Sequence, residues 1–214
     1  MRGTRVLLGF VVLTASLAGC GGLFHSNARP EQVYYLRATP LPPGAAPVAA
    51  SLRFNRPNTG PGLDSADIVT LQSDRRMSFF VASRWPAPTS NMIETLAVEK
   101  LRGSNLWPSV ADSMSAWPSD YVLQVTVRNF EADYSKGGTN PEIHVVLDCI
   151  VGKREGRDVI GSFLAEGSVT ARDNKMSAVI PAFEAAANDA LDSMATQTLD
   201  AIRNSLAHQA AATH

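Results

Sequence analysis

Three stretches of strict alternation, close together in the chain, limit this sequence to folds built on a sheet. Tyr121, Leu123, Val125 and Val127 alternate with Gln124, Thr126 and Arg128. Ile143, Val145, Leu147, Cys149 and Val151 repeat the period, and Val159, Phe163, Ala165 and Val169 do so again in a run lightened by Gly161 and Gly167. A two-residue period places every second side chain on one face, so each stretch is a half-buried strand whose odd-numbered residues point into the core. The connections 133–141 and 152–157 are rich in Gly, Lys, Asn or charge, as the turns of an antiparallel meander should be.

The period then changes. Ile180, Phe183, Ala187, Leu191, Met194, Thr198, Ile202 and Leu206 recur every three or four residues, which predicts an amphipathic helix over 177–207 lying across the meander. Pro181 belongs in its first turn or marks its start, because deeper in a helix it would cost about 3 kcal/mol. Glu184, Asn188, Asp189, Asp192, Gln197, Asp200 and Arg203 fall on the opposite face and read as solvated positions. A shorter helix is predicted over 90–102, opened by Asn91 with Glu94, carried by Ile93, Leu96, Ala97 and Leu101, interrupted by Lys100 and stopped by Gly103. Upstream, 33–38, 48–54, 68–71 and 77–82 read as strands, with a Pro- and Gly-rich loop over 55–64. The expectation is α+β: a mostly antiparallel sheet packed by a long C-terminal helix and a shorter central one. It forms a single domain over 33–207, followed by a disordered tail, 208–214.

The first twenty residues follow different rules. Arg2 and Arg5 precede an apolar run from Val6 to Leu13 that continues through small residues to Gly19, the pattern of an export signal over 1–19. As a spanning helix the run falls short of the roughly 20 apolar residues a bilayer core requires; a short uncleaved anchor is the competing reading. The leader ends Leu17-Ala18-Gly19-Cys20, which resembles the bacterial lipobox. That resemblance implies a diacylglycerol thioether and an N-acyl chain on Cys20, against the plainer reading of a chance Cys near a cleavage site. With each buried methylene contributing about 0.8 kcal/mol, several acyl chains would hold the protein on a membrane almost permanently. Gly21, where retention at the inner membrane would call for Asp, implies the periplasmic face of the outer membrane. Residues 20–32 then form a flexible tether; the thirteen residues between Cys20 and Tyr34 span at most about 45 Å.

Composition and motif searches argue against chemistry. Nineteen Lys and Arg against twenty Asp and Glu give none of the basic excess of a nucleic-acid binder. There is no Gly-x-Ser-x-Gly turn, no Ser with Lys three residues on and no Cys-x-x-Cys, so no nucleophile motif is present. His144 and Asp148 are the one close His-carboxylate pair, and on a strand they stand roughly 13 Å apart, too far for one metal or a proton relay. Cys149 is left as a small buried apolar side chain. No catalytic residue, metal site or cofactor is expected. All three tryptophans, Trp85, Trp107 and Trp117, precede proline. Packing at the sheet rim is the plain reading; a docking surface is the functional one, with Trp85 the candidate contact.

The order of features resembles a known family. The lipobox is followed by Tyr34-Tyr35-Leu36, then Gly62-Leu63-Asp64 leading into Ile68-Val69-Thr70. Ser83-Arg84-Trp85-Pro86-Ala87-Pro88 precedes the central helix, and Asp120-Tyr121 opens the next strand. Together these resemble the ABC-type transport auxiliary lipoproteins (PqiC-like), over about residues 31–206. The resemblance implies an outer-membrane lipoprotein without catalytic activity. It would dock the periplasm-spanning MCE-domain protein of an intermembrane lipid transport system with its inner-membrane transporter, as a ring-forming oligomer in one version. The alternative is a lipid-binding carrier or chaperone lipoprotein, which needs an open apolar cavity between helix and sheet. Ala187, Ala190 and Ala195 on the helix favour close packing instead.

Overall fold

The three alternating segments are the three longest strands of the protein. In the computed structural model, which describes residues 30–212, the elements in chain order are β1 (Gln32–Val33), β2 (Leu52–Phe54), β3 (Asn58–Thr59), β4 (Asp67–Leu71), β5 (Met77–Arg84), α1 (Thr89–Gly103), β6 (Val110–Ala111), β7 (Tyr121–Asp133), β8 (Glu142–Lys153), β9 (Val159–Thr170) and α2 (Met176–Ala212). Contacts group the chain from Glu31 onward into one unit. The fold is α+β, as expected, with a long C-terminal helix and a shorter central one.

The meander is present: β7 pairs antiparallel with β8, and β8 with β9. The rest of the sheet is mixed. Along the other edge of β7, three short strands dock in series and in parallel: β2 opposite Tyr121–Leu123, β3 opposite Thr126–Val127, and β4 opposite Ala132–Asp133. Beyond β2 lies β6, and beyond β4 lie β5 and then β1.

The odd-numbered face is the core face only for part of β7. Tyr121, Leu123, Val125 and Val127 are buried, but the ladder to β8 slips between Val127 and Asn129. A β-bulge adds one residue and turns every later side chain to the opposite face, so Phe130 and Ala132 become the buried apolar residues thereafter, with Glu131 between them buried as well.

Helix α2 packs on β9 and β8 through Val179, Phe183, Ala186, Ala190, Met194 and Ile202. Its seat is prepared by Gly167. A Cβ there would stand 2.0 Å from the main-chain oxygen of Ala186, and one at Gly161 would stand 3.0 Å from the Ala201 methyl. The glycines that weaken the β9 pattern are therefore where helix backbone meets strand, and the alanines opposite them complete a filled layer.

Several boundaries differ from the sequence expectation, each for a physical reason. Pro181 is the sixth residue of α2 and lies in its second turn; it is exposed, so its ring and the carbonyl it leaves unpaired face water. The helix continues to Ala212, where a disordered tail was expected from 208. Helix α1 begins at Thr89 without a side-chain cap, because its N-cap is Pro88, which has no side-chain acceptor; Glu94 accepts the N–H of Ser113 at 3.0 Å instead. The strand expected over 33–38 stops at Val33, and that over 48–54 begins only at Leu52. The loop 55–64 contributes β3.

Candidate docking surface

After β1 the chain leaves the sheet and takes its hydrogen bonds from α2. Thr39 donates its N–H and its hydroxyl to Oδ1 of Asn188 at 2.8 and 2.9 Å, and Nδ2 of Asn188 donates to the carbonyl of Arg37 at 2.9 Å. Glu184 accepts the N–H of Arg37 at 2.9 Å, and Leu36 between them is buried. One carboxamide thus replaces a strand edge for this stretch of chain.

Lys100, which interrupts the apolar stripe of α1, is fully buried beside the same junction. Its ammonium pairs with Asp192 and lies 3.5 Å from both Oγ1 of Thr39 and the carbonyl of Asn188. The face of α2 expected to be solvated therefore carries three structural groups, Glu184, Asn188 and Asp192. Their polarity hides this from a hydropathy pattern, since a buried polar group with partners scores as an exposed one.

The tryptophans divide sharply. Trp85 is 0% exposed and packs edge-on against Phe130 and Phe183, with ring centroids 5.7 and 5.2 Å away. It has no surface to offer a partner, which corrects the candidate contact drawn from the sequence; its place at the end of β5 points it into the core. Trp107 is buried as well. Trp117 is 78% exposed, on a loop that also displays Met114 at 91%. The loop is held from beneath by Arg53, whose guanidinium donates to the carbonyls of Asp112 and Ser115 at 3.0 and 2.9 Å and to that of Trp117. Its polar neighbours Asp112, Ser113 and Ser115 were the available signal that no core stripe would claim this tryptophan.

A second apolar surface lies at the opposite end of the strand order. Met77, Phe79 and Val81 on β5 are exposed, as are Val33 on β1 and Tyr35 just beyond it. Strand β1 pairs with β5 only at Ser83 and Arg84, so among the described residues no strand covers Met77–Ala82 on the side away from β4.

Cys149, Asp148 and His144 are each accounted for by their surroundings. Cys149 is buried and free, and burial pushes its thiol up to about 12, which leaves it protonated and inert. Asp148 pairs with Arg128, apart from His144 as the spacing required. His144 instead lies 3.3 Å from the carboxylate of Glu142, and the Lys136 ammonium and Ser168 hydroxyl hold Glu142 down to about 2. Among the described residues no group of His, Cys, Asp and Glu is arranged to hold a metal, and no helix is long and apolar enough to cross a membrane. A cleft of about 730 Å³ at the ends of β7 and β8 is lined by Asp120, Lys153, Arg154, Glu155 and Asp158 together with Ala49, Ala50, Tyr121 and Leu206, a mixture of charged and apolar side chains. Cys20 lies outside the described residues.

The family model of the ABC-type transport auxiliary lipoprotein component matches residues 34–197. The chain belongs to this family. It is a lipoprotein family serving transport systems, which gives the protein a membrane-associated place in the cell envelope and a transporter as its working context. The fold agrees: a Xanthomonas campestris protein of family DUF330 has 23% sequence identity and a TM-score of 0.75, covering 81% of this chain and 98% of its own. A second solved structure, of an uncharacterized protein, has 13% identity and a TM-score of 0.60, covering 80% of this chain and 99% of its own. No curated protein matches the chain.

Proposed function

We propose that this auxiliary lipoprotein is anchored through acyl chains on Cys20 at the periplasmic face of the outer membrane. There its folded unit docks the periplasm-spanning MCE-domain component of an intermembrane lipid transport system. The role is one of attachment and alignment, with no catalytic step and no cofactor beyond the covalent lipid. The observation that carries docking over lipid carriage is the contact between Gly167 and Ala186. Strand and helix backbones meet there so closely that a Cβ would lie 2.0 Å from the Ala186 oxygen, which leaves no channel for an acyl chain along the middle of α2. The held Trp117 loop supplies what docking needs: a large amphipathic side chain presented on a braced backbone, so that little order is lost on binding.

Two measurements on the purified lipoprotein test this reading. Radiolabelled palmitate should enter the wild-type protein and not the Cys20→Ser variant. Native mass spectrometry should find the protein without non-covalently bound phospholipid; a stoichiometric phospholipid would transfer the function to carriage.

A further inference from the structure

We propose that the β1–β5 edge is the membrane-facing side of the folded unit, with Val33, Tyr35, Phe79 and Val81 seated in the lipid head-group region. The proposal rests on the anchored-lipoprotein reading above and adds to it an orientation, a surface and the residues that touch lipid. Val81 is 90% and Tyr35 61% exposed, and with Met77, Phe79 and Val33 they place five large exposed apolar side chains along β5 and around β1, where isolated exposed apolar residues would be unremarkable.

Three observations choose lipid as the occupant. First, the edge adjoins the point where the chain leaves for Cys20. Only nine residues separate Cys20 from Pro30, so the start of the folded unit stays within roughly 35 Å of the anchored sulfur even at full extension. Second, the border carries cations. Among the described residues the guanidinium groups of Arg75 in the β4–β5 turn and of Arg37 beyond Tyr35 form no ion pair, although the Arg37 N–H is held by Glu184, while Arg76 and Arg84 pair with Asp74 and Glu31. An apolar surface rimmed by Arg, with a tyrosine whose ring is apolar and whose hydroxyl is polar, suits the boundary of an anionic bilayer. Third, the free edge does not continue as the regular strand that pairing with another protein would extend. It is limited at one end by the turn before Met77, and at the other by the left-handed backbone of Ala82 (φ 52°) and the β1 pairing at Ser83. A bilayer interface makes no such demand, since water and phosphate oxygens satisfy the edge N–H groups.

The test uses the full lipoprotein reconstituted in vesicles of phosphatidylethanolamine and phosphatidylglycerol. Cys149 is buried with its thiol protonated, so a thiol-reactive bimane will label an introduced cysteine selectively. The dye is placed in Val81→Cys, and in Met114→Cys beside β6 at the far end of the strand order. Lipids carrying a nitroxide near the head group should quench the dye at position 81 roughly twofold or more, consistent with side chains reaching about 5–10 Å into the interface, and leave position 114 unchanged. In a Tyr35→Cys label background, Phe79→Ser with Val81→Ser should reduce the quenching. No quenching at 81 in protein that floats with the vesicles would overturn the proposal and leave the anchor standing. Crosslinking of position 81 to a second copy, with no lipid quenching, would overturn it in favour of an interface between protomers. Protein that fails to float would remove the anchor reading and this inference together.

Discussion

Asn188 and Thr39 are joined through a single carboxamide oxygen, which accepts both the N–H and the hydroxyl of Thr39, at 2.8 and 2.9 Å. The amide nitrogen of the same side chain donates to the carbonyls of Arg37 and Glu184, each at 2.9 Å. Residues 34–39 follow β1 directly, so this junction ties the start of the folded unit to α2. Asn188→Leu should lower the unfolding free energy by about 1–3 kcal/mol, the cost of leaving buried polar groups unpaired. It should also speed amide exchange in 36–41 ahead of the rest of the sheet. Equilibrium urea unfolding with hydrogen exchange checks both; an unchanged exchange pattern would assign the junction to Leu36 packing alone.

The Lys100–Asp192 pair is asymmetric. The Lys100 side chain is fully buried and that of Asp192 is 31% exposed. Removing the aspartate strands a charge in the interior, whereas removing the lysine leaves an acid that water can reach. Asp192→Asn should therefore destabilise by about 3 kcal/mol, and Lys100→Met by distinctly less. Equal losses in denaturant melts would contradict the burial assigned to Lys100.

Gly167→Ala tests the helix seat. A Cβ placed 2.0 Å from a main-chain oxygen cannot be relieved by a side-chain rotation, so α2 must lift, at a cost of about 3 kcal/mol or more. Gly161→Ala, whose nearest neighbour is the Ala201 methyl at 3.0 Å, should cost clearly less. Thermal unfolding of the two variants ranks them.

Elements governed by local period were legible in the sequence, and those governed by distant partners were not. The meander and both helices announce themselves because alternation and the 3.6-residue repeat are set by burial on one face. The bulge at Arg128 leaves the hydropathy of β7 intact while reversing its faces, so Phe130, at an even-numbered position, is core. Strands β1, β3 and β6 have two residues each; they exist only because β5, β7 and β2 lie beside them, a fact no window of sequence contains. The candidate surface was hardest to see. Trp85 and Trp117 share a following proline, and what separates them is whether Phe130 and Phe183, distant in sequence, close around the ring.

Glu131 gives the protein a pH dependence of opposite sign to that of an ordinary surface carboxylate. Burial raises its carboxyl above the usual range, although Asn129 and the N–H of Phe130 bond to it and partly offset this. A folded-state value above the unfolded one means that its contribution is fully present below the ordinary glutamate value of 4.5 and is lost as pH rises through the folded value. Glu131→Gln should therefore become progressively more favourable relative to wild type as pH is raised from about 4.5 through the folded value, and level off above it. Over that window Glu142, held down to about 2 by Lys136 and Ser168, stays ionised and does not interfere. Stability differences that do not change with pH would show that Glu131 ionises in the folded protein as freely as in the unfolded chain.

The docking role is tested most directly by crosslinking the native lipoprotein in intact membranes and identifying the captured proteins by mass spectrometry, with Cys20→Ser as the control. The account predicts capture of an MCE-domain protein, weakened when the anchor is lost. Efficient crosslinking that yields bound phospholipid and no such protein would contradict it.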